Sequence, residues 1–213
     1  MRRSTTTDQE MKRFMDIFIS GLLLILFCPA LVSIAFLGAL FQGRPIFFTQ
    51  QRPGLHGKVF KIWKFRTMAP CPGSGPGEPT TWGKFLRKSS LDELPQLWNI
   101  LKGEMSLVGP RPLLVEYLPL YSPKQARRHE VLPGMTGWAQ IKGRDSIPWE
   151  RKLEYDVWYV ENQSLLLDIK ILILTALDWF KLPSPGKVAD VPIEPFKGNS
   201  ESGTSVEKRT QKP

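Results

Sequence analysis

The chain has 213 residues, and its 29 lysines and arginines outnumber its 20 aspartates and glutamates, for a net charge of +9. That length is enough for one domain with its own hydrophobic core, and the basic excess suits a nucleic acid, an anionic membrane surface or a phosphorylated substrate. The two cysteines and two histidines lack both a paired framework and metal-ligand spacing, which excludes a disulfide-stapled secreted fold and a zinc module and favours a reduced cytoplasmic setting.

A long uncharged run dominates the N-terminal part of the chain. The run extends from Ile17 to Phe41. It is preceded by a polar segment, residues 1–10, which we expect to be flexible. As a straight helix of about 25 residues the run would reach about 37 Å, which is enough to cross a lipid bilayer. Because a soluble domain seldom carries such a run, residues 11–42 are predicted to form a membrane segment.

Two features of this run favour a hairpin over a crossing. Pro29 interrupts the run, and a proline in lipid removes a backbone hydrogen bond that no water replaces, so a kink or turn is expected there. Basic residues flank both sides, namely Arg2, Arg3, Lys12 and Arg13 before the run and Arg44, Arg52, Lys58, Lys61, Lys64 and Arg66 after it. A spanning helix normally has many more basic residues at its cytoplasmic end than at its other end. We therefore predict a re-entrant helix–break–helix with both chain ends on the cytoplasmic side; a kinked single span is the alternative.

The next segment predicts a β-hairpin just above the membrane. Residues 46–50 and 59–63 are rich in aromatic and β-branched side chains, and residues 52–57 between them have turn chemistry. The end of the second strand presents Lys64 and Arg66 as two cations, for which an ordinary charged surface is the alternative interpretation. The Pro- and Gly-rich residues that follow predict a loop at 69–83, either a mobile lid or a spacer.

An acidic pair, Asp92 and Glu93, lies where this loop region gives way to a predicted helix. Ser90 is the predicted N-cap, and Glu93 follows it at capping-box spacing. A helix start offers free amide groups and partial positive charge, which keep Asp92 ionised and favour a nearby phosphate. A helix cap without chemistry is the alternative interpretation of the pair.

Two arginines can join the acidic pair. Arg87 precedes Asp92 by five residues, so both can face one pocket across the turn. Arg111 lies between Pro110 and Pro112, which restrict the local backbone and leave the guanidinium suited to bidentate phosphate binding. A rigid turn with a solvated arginine is the alternative.

The C-terminal part predicts two more helices. Residues 149–162 are amphipathic and rich in aromatic side chains, which suit either the lipid headgroup layer or an ordinary core. The apolar run 169–177 is too short to span a membrane and predicts an interfacial or core helix, with Asp168 as an acid in its first turn. Residues 183–213 are polar and Pro-rich and predict a tail whose end is disordered.

Four motifs in this sequence resemble those of a known protein family, namely residues 64–68, 91–97, 102–112 and 133–138. In this order they resemble the bacterial sugar transferase family, the monotopic polyprenyl-phosphate phosphoglycosyl transferases, over about residues 10–198. Within that family, residues 115–121 and 195–199 are most similar to the members that transfer diacetamido-bacillosamine 1-phosphate to undecaprenyl phosphate in general protein glycosylation. Family members break their re-entrant helix at Ser-Pro, whereas Cys28 precedes Pro29 here, so no role of that hydroxyl carries over.

The resemblance implies a mechanism and a site. Asp92 matches the nucleophile that attacks the β-phosphorus of a UDP-sugar and releases UMP, and Glu93 matches its dyad partner. The family uses Mg²⁺, for which Asp92 and Glu93 are the expected ligands. Substrate- or phosphate-binding roles are implied for Lys64, Arg66, Arg87, Arg111, Arg144 and Asp168.

The resemblance also implies partners and a location. The expected partners are a UDP-sugar, undecaprenyl phosphate, membrane lipid and downstream glycosyltransferases, at the cytoplasmic face of the bacterial inner membrane. The expected fold is mainly α with a small β-hairpin, built from a re-entrant membrane helix and interfacial amphipathic helices. It divides into a flexible N-terminus (1–10), the membrane helix (11–42), a cytoplasmic or interfacial catalytic domain (43–182) and a polar tail (183–213).

Two other classes of function compete with this hypothesis. A membrane-anchored basic module that binds a partner without catalysis needs the anchor and the cations, but has no use for Asp92 and Glu93. A nucleic-acid-binding protein needs a soluble basic stripe with stacking aromatics, whereas the aromatics here cluster with apolar residues. We therefore expect no nucleic-acid partner.

Overall fold

A computed structural model describes residues 6–69, 77–143, 146–180 and 195–198. Within these ranges the chain is mainly helical with a small antiparallel hairpin, as the sequence predicts, and it has a second, parallel two-stranded sheet that the sequence analysis did not predict. Arg144, half of the predicted loop 69–83 and most of the predicted tail lie outside the described residues.

The N-terminal run forms two helices joined at a sharp bend. Helix α1 spans Thr6–Leu26, helix α2 spans Cys28–Gln42, and their axes differ by 60°. Pro29 lies in the first turn of α2, where a missing amide costs nothing because that group has no intrahelical partner. The predicted break is confirmed, and α1 begins within the segment expected to be flexible.

The bent pair exposes a broad apolar surface. No single helix among the described ranges is long and apolar enough to cross a membrane, whereas α1 and α2 together have the length and composition to do so as a broken span or a re-entrant loop. Large side chains of both helices are exposed, among them Phe14, Phe18, Ile25, Phe36 and Phe41. An uncovered apolar surface of this size is rare on soluble monomers and marks an interaction surface.

The β-hairpin is confirmed. Strands β1 (Phe47–Pro53) and β2 (Val59–Phe65) pair antiparallel, with Phe48 opposite Lys64. The turn closes where the Gly54 amide donates to the Lys58 carbonyl at 2.8 Å.

The acidic pair lies between two short helices. Helix α3 spans Thr81–Ser89, a 3₁₀ turn covers Leu91–Glu93, and helix α4 spans Gln96–Lys102. The capping box predicted at Ser90 is wrong: this residue has φ of 56°, ends α3 in the left-handed conformation, and its side chain makes no capping hydrogen bond. The chain therefore reverses at Ser90, and the acidic pair occupies a tight turn ahead of α4.

The remaining elements complete the domain. Strand β3 (Ser106–Val108) pairs parallel with β4 (Gly134–Thr136). The helices are α5 (Pro123–Ala126), α6 (Trp138–Lys142), α7 (Trp149–Asn162) and α8 (Leu165–Phe180), with 3₁₀ turns at Val115–Leu120 and Arg127–Glu130. Helix α7 has the predicted bounds. The main core joins the hairpin, α4, β3, α7 and α8 through Phe60, Ile62, Leu97, Ile100, Met105, Leu107, Tyr159 and Ile171.

The C-terminal segment includes a docked residue. Phe196 is 5% exposed and packs on Tyr117, Tyr121 and Trp149, with ring centroids 5.6–5.7 Å apart. The polar composition of residues 183–213 concealed this anchor, because one aromatic residue does not change the average of a long segment.

Buried polar contacts tie α1 to the rest of the domain. Lys12 Nζ lies 2.6 Å from Asp168 Oδ2 and donates to the Val108 carbonyl at 2.9 Å. Arg13 donates to the carbonyls of Ile100 and Leu101 at 2.6 and 2.8 Å, at the C-terminal end of α4, where a cation is favourable. Lys12 and Arg13, two of the basic residues before the apolar run, thus anchor α1 to the rest of the domain.

We predict that Lys12→Met destabilises the protein by about 3–5 kcal/mol, because the Asp168 carboxylate is fully buried and would be left without its cation. The measurement is thermal or denaturant unfolding in detergent or nanodiscs. Lys170→Met, at an exposed position of α8, is the matched control and should have little effect. Equal stability of the two variants would contradict the anchoring role.

Candidate active site

The acidic turn brings two carboxylates into very different surroundings. Asp92 is 8% exposed and Glu93 also has a mostly covered side chain. The left-handed Ser90 ends α3 immediately before the turn, and Pro95 follows it as the residue that caps α4. The local sequence therefore fixes both ends of a short turn, and the two acids differ in their neighbours rather than in their exposure.

Glu93 is held by two cations from distant segments. Lys64 Nζ lies 2.6 Å from Oε1, and the Arg111 guanidinium binds both carboxylate oxygens, at 2.5 Å to Oε1 and 3.2 Å to Oε2. Burial by itself would raise the pKa of Glu93, but Arg111 and Lys64 outweigh it and hold that pKa well below its usual range. Glu93 is therefore an ionised, fully paired group.

Asp92 has the opposite electrostatics. Burial, followed by the negative charge of Glu93, raises its pKa to about 6, against the lowering effect of Lys64, Arg87 and Arg111. The helix-start effect expected from the sequence does not dominate here, because burial and the charge of Glu93 raise the pKa. Asp92 is thus the more basic carboxylate of the pair, and it is still largely ionised at pH 7.

Three of the predicted cations surround this pair. Lys64 and Arg111 bind Glu93, while Arg87 comes from α3 and donates through Nε to Thr67 Oγ1 at 3.0 Å. Arg87 also lowers the pKa of Asp92, which places its charge close to that carboxylate. The arrangement is suited to an anionic ligand beside Asp92.

Arg66 lies elsewhere. Its guanidinium donates to the backbone carbonyls of Gln42, Gly43 at 2.8 Å and Arg44 at 3.4 Å. These carbonyls follow the end of α2 and have no further helical turn to accept from, so the cation satisfies them. The structure gives Arg66 a role in joining the hairpin to α2, and its phosphate role stays a prediction.

Asp168 and Arg144 do not join the site in the described residues. Asp168 is fully buried, and its oxygens accept from Lys12 and from the Tyr159 hydroxyl, both at 2.6 Å. These partners occupy the carboxylate, so the structure gives it an anchoring role. Arg144 lies outside the described residues, and its nucleotide role is still a prediction.

Sequence reasoning missed Arg52 as a neighbour of the site. This half-buried residue of β1 donates to Gln50 Oε1 at 2.6 Å. Burial and then the charge of Arg111 lower the pKa of Arg52, while Glu93 partly offsets them. The sequence counted Arg52 only as a flanking charge, although its place beside a Pro-Gly turn fixes its backbone.

The two predicted metal ligands, Asp92 and Glu93, are not equally suited to bind a metal ion. Within the described ranges, no group of three or more histidines, cysteines or acidic residues could hold a metal ion. Both oxygens of Glu93 are engaged by cations, which disfavours it as a ligand. Magnesium commonly uses one or two carboxylates together with substrate phosphates, and Asp92 is the carboxylate that fits this pattern.

An apolar cavity lies close to the acidic turn. Its volume is about 400 Å³, and it lies between the bent helix pair, the hairpin and the start of α4. The lining residues are Leu24, Leu31, Val32, Ala35, Phe47, Trp63, Phe65, Pro95 and Trp98. Pro95, one of the lining residues, is three residues from Asp92 along the chain.

We predict that Asp92→Asn stabilises the fold above pH 6. A pKa raised from 3.8 to about 6 means that the folded state binds the Asp92 proton more tightly than the unfolded state. Asp92 therefore destabilises the protein progressively between pH 4 and 6, by roughly 2–3 kcal/mol in all. Unfolding free energies of both proteins from pH 4 to 8 should diverge over this range.

The neighbouring Glu93→Gln is the matched comparison. It should destabilise the protein at neutral pH, because it removes the anion that pairs Lys64 and Arg111. A parallel pH profile for wild type and Asp92→Asn would contradict the raised pKa.

Comparisons with known proteins show which family the chain is similar to. A family model described as bacterial sugar transferase matches residues 7–182. The uncharacterized sugar transferase EpsL of Bacillus subtilis is 50% identical over 200 residues, which cover 90% of this chain and 98% of that protein. A UDP-glucose:undecaprenyl-phosphate glucose-1-phosphate transferase of Klebsiella pneumoniae is 41% identical over 79% of this chain and 40% of its own length.

A third relative extends the range of sugars. A UDP-N-acetylgalactosamine-undecaprenyl-phosphate N-acetylgalactosaminephosphotransferase of Aeromonas hydrophila is 38% identical over 77% of this chain and 42% of its own length. The chain thus spans nearly all of the Bacillus relative and about two fifths of the other two proteins.

Proposed function

The chain belongs to the bacterial sugar transferase family, and from this premise we propose that it transfers a sugar 1-phosphate from a UDP-sugar to undecaprenyl phosphate. One observation carries the proposal: a basic, buried Asp92 lies beside a Glu93 that is fully paired with Lys64 and Arg111. Two carboxylates with separated pKa values can take different roles in one reaction. The relatives whose names state a reaction use the same classes of donor and acceptor.

In the first step of the proposed reaction, the Asp92 carboxylate attacks the β-phosphorus of the donor. A bond forms between the carboxylate oxygen and phosphorus, and the bond from that phosphorus to the bridging oxygen breaks, so UMP leaves with the electron pair. Arg87 and Arg111 offset the charge of the diphosphate. Mg²⁺, held by Asp92 and the phosphates, would supply further charge neutralisation.

In the second step, a phosphate oxygen of the acceptor attacks the phosphorus bound to Asp92. The new phosphorus–oxygen bond makes the diphosphate-linked product, and the bond to the carboxylate breaks and restores Asp92. Splitting the transfer in two lets a water-soluble donor and a membrane-bound acceptor react in turn. The apolar cavity beside Pro95 supports a place for the start of the polyprenyl chain.

We propose that the enzyme lies at the cytoplasmic face of the bacterial inner membrane, with α1 and α2 as a re-entrant hairpin. The exposed apolar faces of both helices support this, as does α8, where Leu166, Ile173 and Leu177 are more than half exposed. Apolar surface of this extent is stabilised by lipid rather than water.

For the donor, we propose a UDP-N-acetylaminosugar, such as UDP-N,N′-diacetylbacillosamine. The proposal depends on the resemblance of residues 115–121 and 195–199, and the structure places Tyr117 and Phe196 of these segments in contact. The relatives' names give glucose and N-acetylgalactosamine, so UMP release from a panel of UDP-sugars discriminates among donors. The product would then pass to glycosyltransferases that extend it.

Asp92→Asn should abolish UMP release, with a loss of at least about 10³-fold, because an amide cannot act as the nucleophile. Incubation with a donor labelled in the sugar should leave a covalent sugar phosphate on the wild-type chain and none on Asp92→Asn, as mass spectrometry would show. Glu154→Gln, an exposed acid of α7, is the control and should retain activity. Unchanged turnover in Asp92→Asn would overturn the assignment of Asp92 as the nucleophile, whereas a wild-type chain that releases no UMP from any UDP-sugar would support a binding module without catalysis.

The topology has its own test. In a background without Cys28 and Cys71, a single cysteine at Asp8→Cys should resist an impermeant thiol reagent in intact cells and react after permeabilisation. A spanning helix with a cytoplasmic catalytic domain would place that cysteine in the periplasm, where labelling of intact cells would refute the hairpin. A periplasmic cysteine protein in the same cells confirms that the reagent has access.

A further inference from the structure

A buried ion pair between Arg128 and Asp156 contacts the backbone of Arg111. Arg128 is 2% exposed, and its Nε and Nη2 donate to Asp156 Oδ2 at 3.0 and 2.7 Å. The same Nη2 also donates to the backbone carbonyl of Arg111 at 2.6 Å. Asp156 is 3% exposed, so this contact is sealed from water and links α7 to the backbone of the site.

The backbone at Arg111 is held at three consecutive residues. The Gly109 amide donates to β4 at 2.9 Å, and the Pro110 carbonyl accepts from β4 at 3.0 Å. The Arg111 carbonyl is the third, and it is bound by the Arg128 side chain instead of a strand. Arg128 thus continues the hydrogen bonding where the parallel β3–β4 pairing ends.

This support matters because the Arg111 side chain is itself mobile by nature. It is 45% exposed, and a long, half-exposed side chain loses rotamer freedom when it is held in one geometry. Its bidentate contact with Glu93 requires the planar guanidinium to arrive from a fixed direction. A fixed backbone at the base of the side chain reduces the number of geometries that it samples.

A buried ion pair is weak evidence for a role in stability alone, since apolar residues of the same volume commonly serve as well. Tyr121 adds a second contact, because the Arg128 guanidinium lies 5.7 Å from its ring centroid, which restrains the guanidinium plane. We propose that Arg128 and Asp156 are positioning residues for the proposed transfer reaction, holding the Arg111 backbone so that its guanidinium meets Glu93 and the donor diphosphate. This inference rests on the proposed function.

A double-mutant cycle tests it. Arg128→Lys keeps the positive charge but loses the fork that binds Asp156 and the Arg111 carbonyl together. It should lower kcat/KM for UMP release at least about 10-fold in the wild-type background, but less than about 2-fold when Arg111→Ala is already present, because coupled residues are not additive. Asp156→Asn is a second variant that acts from the other side of the pair and should give the same pattern.

Arg127→Lys is the matched control. Arg127 is the preceding residue and pairs with Glu130 and Glu161 at the surface, so its substitution should change kcat/KM less than about 2-fold in both backgrounds. If the losses of kcat/KM from Arg128→Lys and from Arg111→Ala multiply in the double variant, the positioning role is overturned. Independent losses would show that Arg128→Lys has a general structural effect.

Binding of UDP, measured by calorimetry over the same cycle, gives a readout that does not depend on turnover. The same non-additivity in UDP affinity supports the positioning role, and additive losses, or a UDP affinity that Arg111→Ala leaves unchanged, overturn it. A wild-type chain that releases no UMP from any UDP-sugar rejects the proposed function instead. Failure of the positioning role is therefore seen in the variants, and failure of the proposed function is seen in the wild-type chain.

Discussion

The Glu93 carboxylate between Lys64 and Arg111 is the contact around which the site is arranged. It joins the β-hairpin, the acidic turn and the proline-flanked segment, three parts of the chain that also meet in the hydrophobic core. Because both partners carry full charges and the group is largely shielded from water, the contact is stronger than a surface ion pair. These segments bring the positive charges of Lys64 and Arg111 to the acidic pair, where both lower the pKa of Asp92.

The consequence for Asp92 follows from charge balance. Three cations near a single carboxylate would lower its pKa and its nucleophilicity together, since basicity and nucleophilic strength rise in parallel. Burial, followed by the negative charge of Glu93, opposes this effect and raises the pKa of Asp92 to about 6. On the proposed function, Glu93 therefore supports the nucleophile through its negative charge, without a contact to substrate.

Local patterns predicted the elements better than the site. The hairpin, the break at Pro29 and the bounds of α7 depend on alternation, proline chemistry and helical periodicity, which are visible within a short window. Ser90 shows the limit, because its N-cap signal was overridden and the residue instead ends α3 in the left-handed conformation. Such an outcome depends on segments outside the window.

The same limit explains the side chains that were misplaced or missed. Lys64 and Arg66 are two residues apart, a spacing that puts strand side chains on one face, but β2 ends at Phe65 and Arg66 turns back to α2. Arg128 is buried through a partner 28 residues further along the chain. No spacing rule connects such residues, so their roles become visible only when the tertiary contacts are known.

The contacts that anchor α1 and the proposed active site are connected through strand β3 and the residues that follow it. Lys12 and Tyr159 both donate to the Val108 carbonyl, at 2.9 and 3.1 Å, and the chain continues from Val108 through Gly109 and Pro110 to Arg111. A displacement of α1 would therefore be transmitted to the backbone that carries Arg111, because Val108 is buried and close-packed. On the proposed function, the depth of the helical hairpin in the membrane and the geometry of the phosphate-binding arginine are set by a common support. Such a link suits an enzyme that receives one substrate from water and the other from lipid, since both substrates must meet the same carboxylate.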